Sequence, residues 1–127
     1  MADAVTSQKL VDGTRNCVMR FTNVSDGTGE AGVTKVDVSA LVGSPASVAI
    51  QRIVYSCQGM QVRILEDATT DVTAAILSQG DGDIDLRGTG GAPNTKASGY
   101  NGDLLFTTIG HSANDSYDIT LYMRKKY

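Results

Sequence analysis

The sequence predicts an all-β fold, a single-domain antiparallel β-sandwich or jelly roll, on three observations. Apolar residues recur mostly at every second position, the mark of strands with one face in a core and one in water. Glycine accounts for 14 of 127 residues against two prolines, so the chain reverses often and through residues that tolerate positive φ. The apolar runs are short and spaced by roughly ten residues, which gives about seven to nine strands. Helix should then stay below about 15% of the chain. A length of 127 residues suits one domain spanning 1–127 with one core, burying roughly two-thirds of the surface that the unfolded chain exposes.

Taken in order, Met1 to Lys9 is polar and reads as an N-terminal arm outside the core. Cys17 to Val24 sets Cys17, Met19 and Phe21 against Val18, Arg20 and Thr22, and Val33 to Val38 sets Val36 and Val38 against Lys35 and Asp37; both are strands. Ser39 to Gly43 can hold one helical turn. Ser47 to Cys57 and Met60 to Glu66 are two further strands, and the Gln58-Gly59 link between them suits a hairpin turn. Thr70 to Ser78 is short and threonine-rich, which favours a strand over the helix that Ala74-Ala75-Ile76-Leu77 could start. Gly80 to Gly102 is rich in Gly, Asp and Asn and reads as a long loop, the kind that in a compact domain usually has a function. Asp103 to Ile109 is a β-branched and aromatic run, followed by Gly110 to Asp115 as a loop and then the clearest strand. There Tyr117, Ile119, Leu121 and Met123 share one face, and Asp118, Thr120, Tyr122 and Arg124 the other. These last two strands are expected to form a hairpin.

Composition narrows the classes of function. No run reaches the ~20 apolar residues of a membrane span, and Met1-Ala-Asp-Ala-Val lacks the basic and apolar parts of a signal peptide, so a cytosolic product is expected. The net charge of −3 argues against nucleic-acid binding over a broad basic surface, and the one basic cluster, Arg124-Lys125-Lys126, reads as a solvated tail. Cys17 and Cys57 read as buried free thiols, with a disulfide formed after release as the alternative. The sequons at Asn23 and Asn114 read as turn residues.

The motifs that could carry chemistry fall short of it. Gly27-Thr-Gly-Glu-Ala-Gly32 matches a dinucleotide loop, but a strand follows where a helix N-terminus should hold the pyrophosphate, so it reads as a flexible strand connection. Asp81, Asp83 and Asp85 open like a calcium loop, yet Leu86 and Ala92 stand where its glycine and glutamate belong. His111 lies close in sequence to Ser112 and Asp115, but neighbours on one loop do not usually supply triad geometry. No catalytic, cofactor or metal residues are therefore assigned.

The segments Phe21-Thr-Asn-Val-Ser-Asp-Gly-Thr-Gly-Glu, Val33-Thr-Lys-Val-Asp-Val-Ser-Ala-Leu, Glu66-Asp-Ala-Thr-Thr-Asp-Val and Phe106-Thr-Thr-Ile-Gly-His-Ser-Ala-Asn-Asp-Ser-Tyr resemble small virion structural proteins of tailed bacteriophages. The resemblance is closest to capsid decoration, or cement, proteins. It implies attachment to the major capsid protein on the outer lattice of a virion, assembly as a homo-oligomer with a trimer as best expectation, and no cofactor. A tail-tube or head-tail connector protein shares the β-rich composition, and a small carbohydrate-binding module using Asp81, Asp83, Asp85 and Tyr100 is the non-structural alternative. The expected partner contacts are Met1 and Lys9 in the arm and Gly88, Gly90, Asn94 and Lys96 in the long loop.

Overall fold

The computed structural model describes residues 4–27, 29–67, 72–86, 102–110 and 112–126. Among these, nine strands form two antiparallel sheets: β1 (Ala4–Asp12), β2 (Asn16–Asp26), β3 (Val33–Val36), β4 (Ser47–Gln58), β5 (Gln61–Glu66), β6 (Val72–Leu77), β7 (Gly80–Asp85), β8 (Leu104–Ile109) and β9 (Ala113–Lys126). A single 3-10 turn at Val38–Ala40 stands one residue from the expected helical turn; the Asp37 side chain caps it by accepting from the Ser39 N–H.

The five-stranded sheet runs β1-β2-β9-β4-β7 and the four-stranded sheet β3-β8-β5-β6. Strand β2 pairs with β9, β3 with β8, β4 with β7 and β5 with β6, so the chain from β2 to β9 is one long antiparallel hairpin. The added pairings β4 with β9 and β5 with β8 roll that hairpin into two facing sheets. This order is an eight-stranded jelly roll with β1 added beside β2, which decides between the two expected architectures.

The inner faces meet where the period-two pattern places them. Phe21, Ile50, Ile53, Ile119 and Leu121 from the larger sheet pack against Ile64, Leu77, Leu104 and Phe106 from the smaller. Phe106 lies edge-on to Phe21 and to Tyr117, with centroids 5.1 and 5.9 Å apart, so three aromatic rings link the sheets.

Four expectations change. Both expected hairpins are instead crossings between sheets: β4 and β5 lie in different sheets, as do β8 and β9. Gly59 makes the first crossing with φ of +80°, and a Cβ there would meet the Asp115 carboxylate at 2.1 Å. Residues 4–9 are no loose arm, because β1 adds to β2 in register from Ala4 opposite Val24 to Asp12 opposite Cys17. The 80–102 region is a loop only in part, since Gly80–Asp85 is strand β7, paired with β4 from Arg52 opposite Asp85 to Cys57 opposite Gly80.

The Gly27–Gly32 connection is likewise pinned. Gly27, Gly29 and Gly32 take positive φ and drop Glu30 into the sandwich, where the Asn23 amide donates to Oε1 at 3.0 Å and the Tyr117 hydroxyl donates to it at 2.5 Å. Lys35 Nζ lies 2.5 Å from Oε2, and the Glu30 and Thr108 backbones bond each other, so one acidic residue joins β2, β3, β8 and β9.

Truncating the ring shared by both aromatic pairs tests this core. Phe106→Ala should lower unfolding stability by about 3–5 kcal/mol in urea titration, and a loss under about 1 kcal/mol would show that the ring is not central.

Candidate functional site

The outer face of the five-stranded sheet carries the side chains that alternate with the core residues. Across its middle run Arg20 on β2, Thr120 on β9, Val54 on β4 and Asp83 on β7, which are direct register partners. Two bidentate ion pairs cross it diagonally. Arg20 reaches Asp118 at 3.0 and 2.5 Å, and Arg52 reaches Asp83 at 2.9 and 2.5 Å. Ser56 donates to Asp81 at 2.7 Å, and the Arg52 guanidinium lies 5.6 Å above the Tyr122 ring. The carboxylates beside them hold both guanidiniums above their ordinary pKa, so this face stays charged at any physiological pH.

These residues except Arg52 line an open groove of about 760 Å³ that runs from Leu10 on β1 past Thr120 and Tyr122 to Asp81 and Asp83 on β7. Tyr122 also borders a second depression of about 300 Å³ with Val18 and Arg52. Leu10, Val54 and Tyr122 are exposed there, so the groove has an apolar floor between charged walls.

The expected contact residues are only partly placed. Lys9 lies on β1, which has no neighbour on its other side among the described residues, and its Nζ donates to the Ala40 carbonyl at 2.7 Å. Met1, Gly88, Gly90, Asn94 and Lys96 lie outside the described residues, as do Tyr100 and His111. Asp81, Asp83 and Asp85 point outward from an extended strand at about 6.7 Å intervals, too far apart to converge on one ion. No group of three or more potential metal ligands occurs among the described residues, and no helix there is long and apolar enough to cross a membrane.

The thiols are free and buried. Cys17 pairs with Met123 and Cys57 with Tyr117 along β9, which places them roughly 20 Å apart at a ~3.3 Å rise and excludes a bridge within one chain. Burial raises both pKa values, that of Cys57 to about 11, so neither is a thiolate nucleophile near neutrality.

The C-terminal basic run is not a solvated tail. Lys125 faces inward with its side chain wholly buried, paired with Asp12, and donates to the Gly13 and Val42 carbonyls at 2.5 and 2.9 Å. Asp12 in turn accepts from the Val42 N–H. The signal was present in the alternation of Met123 and Lys125 on one face, but its partner lies at the far end of the sequence. Arg124 and Lys126 stay exposed on the outer face.

No family model matches the chain, and a search of curated proteins finds no match.

The Lys125 pair gives a pH dependence with a defined sign. The Lys125 ammonium holds the Asp12 carboxyl below its ordinary value of 3.8, so the pair stabilises the fold above that value and is lost as pH falls through the lower, folded value. Asp12→Asn should cost about 3–5 kcal/mol at pH 7, since it leaves a buried ammonium without its anion. Urea titrations from neutral to acid pH should show the wild type converging on the variant below about pH 4. A gap that stays constant across that range would exclude the pair as its source.

Proposed function

We propose that this chain is a virion structural protein that attaches to the outer capsid lattice as a decoration protein and assembles as a trimer. The observation that carries the reading is the eight-stranded jelly roll with an added edge strand, an architecture recurrent in viral capsid domains. That is an analogy of fold, and it agrees with the resemblance of four sequence segments to tailed-phage virion proteins. The open groove from β1 to β7 supplies the kind of broad, mixed surface that a large protein partner covers. Several weak contacts repeated by a trimer would add through effective concentration, so each copy needs little affinity of its own.

A second reading draws on the same groove. Jelly rolls also form lectin domains, and carboxylates of Asp81, Asp83 and Asp118 beside Tyr122 are groups that bind sugar hydroxyls and stack on sugar rings. A glycan array separates the two.

Antibody raised against the chain should label the head surface of virions encoding it, and light scattering should give a trimer in solution. Label confined to the tail would favour a tail-tube or connector protein. Within the decoration reading, Val54→Glu with Tyr122→Glu should leave the melting temperature within a few degrees and lower head occupancy more than about tenfold, because charge replaces the apolar floor of the groove.

A further inference from the structure

The described cations fall into three groups. Arg20, Lys35, Arg52 and Lys125 are each paired with a carboxylate, while Lys9 donates to a backbone carbonyl and Arg63 to Gln61. Arg15, Arg124 and Lys126 make no ion pair among the described residues, and all three are exposed. They come from opposite ends of the sequence to one end of the larger sheet. Arg15 lies in the β1–β2 turn, whose Gly13 N–H donates to the Asn16 carbonyl, and the Lys125 N–H donates to the Arg15 carbonyl at 2.6 Å. That bond sets the turn beside the last residues of β9. Because Lys125 turns inward, Arg124 and Lys126 both turn outward, and Thr14, Arg15, Arg124 and Lys125 border a depression of about 490 Å³.

Three like charges gathered on a chain of net charge −3 repel one another unless an anion joins them. Two are arginines, whose planar donors match the two oxygens of a carboxylate. The patch is also bounded. Asp37, Asp67 and Asp103 gather on the rim of the smaller sheet at the same end, where the Asp67 N–H donates to the Asp103 carbonyl and the Val38 N–H to the Asp103 carboxylate. The Ala46 N–H donates to the Lys126 carbonyl, and Gly102 packs against Ala46, so the two rims adjoin. A long polyanion such as duplex nucleic acid would cross that acidic rim, whereas a short segment would not.

We propose that the notch bordered by Arg15 and Arg124, with Lys126 next to Arg124 on the same outward face of β9, binds a short acidic segment of a protein partner through its carboxylates. The choice of a virion protein as that partner rests on the decoration reading; the site itself does not.

The test is fluorescence anisotropy of a labelled hexaglutamate peptide titrated with the full chain. Binding is expected at about 20 mM salt and should weaken at least about tenfold by about 200 mM, as screening shortens the reach of surface charges. The triple variant Arg15→Glu, Arg124→Glu, Lys126→Glu should lose it while keeping the wild-type circular dichroism spectrum, and Arg63→Glu, on the other sheet, should retain it. Absence of binding at low salt, equal binding by the triple variant, or tighter binding of a short DNA duplex than of the peptide would overturn the proposal. Peptide binding that disappears in the triple variant upholds the notch whatever virion labelling shows. A chain that binds the peptide but is missing from virions overturns the decoration reading alone.

Discussion

The register of β9 between β2 and β4 is the constraint on which the rest of the structure depends. It is the middle strand of the larger sheet, and its 14 residues pair with β2 from Ala113 to Arg124 and with β4 from Ser116 to Lys126. Its inward residues, Tyr117, Ile119, Leu121 and Met123, are core, and its outward residues, Asp118, Thr120, Tyr122, Arg124 and Lys126, supply the groove and the cationic notch. A slip of one residue would exchange the two sets. Two buried polar contacts oppose such a slip from either end: Tyr117 to Glu30 near the start and Lys125 to Asp12 near the finish. Buried ion pairs add little net stability because desolvation offsets their attraction, but a misplaced one is expensive, and that asymmetry selects one register.

Much of this was legible in the sequence, and what was not has a common cause. The alternations at Cys17 to Val24 and Tyr117 to Arg124 name their own faces, because the period of a strand is local. Which strands pair is not local in a jelly roll, where β2 closes on β9 and β3 on β8. Gln58-Gly59 carries the same turn chemistry whether the chain returns within its own sheet or climbs to the other. The hairpin reading failed there for that reason.

The start of the 80–102 region was misread as loop by the same route. Asp81, Asp83 and Asp85 alternate because they lie on a strand, with Ile84 turned to the core and Gly82 fitting under the Tyr55 ring, yet without β4 in view the alternation resembles an ion loop. Residues 4–9 look too polar for a core, and they are: β1 is an edge strand whose side chains remain largely exposed while β2 pairs with one edge of its backbone. Lys125 read as one of three tail charges because Asp12, which makes its burial tolerable, precedes it by nearly the whole chain.

The outer face then raises a question of energy. The residues of the Arg20–Asp118 and Arg52–Asp83 pairs are 36% to 47% exposed, and pairs so open to water contribute only about 0–1 kcal/mol to folding. On the proposed attachment, their effect falls on association instead. A long arginine that is free in solution loses roughly 0.5–1.5 kcal/mol of rotamer freedom when a partner immobilises it. Arg20 and Arg52 are already held by two hydrogen bonds each, and Arg52 also by the Tyr122 ring, so the proposed partner would meet a groove and an adjoining depression whose arginines are largely set. Arg15, Arg124 and Lys126 have no such ion pair among the described residues, and in the proposed complex their ordering must be offset by the carboxylates they meet. The groove therefore suits contact by shape and apolar area, and the notch suits contact by charge, so salt should weaken the second far more than the first.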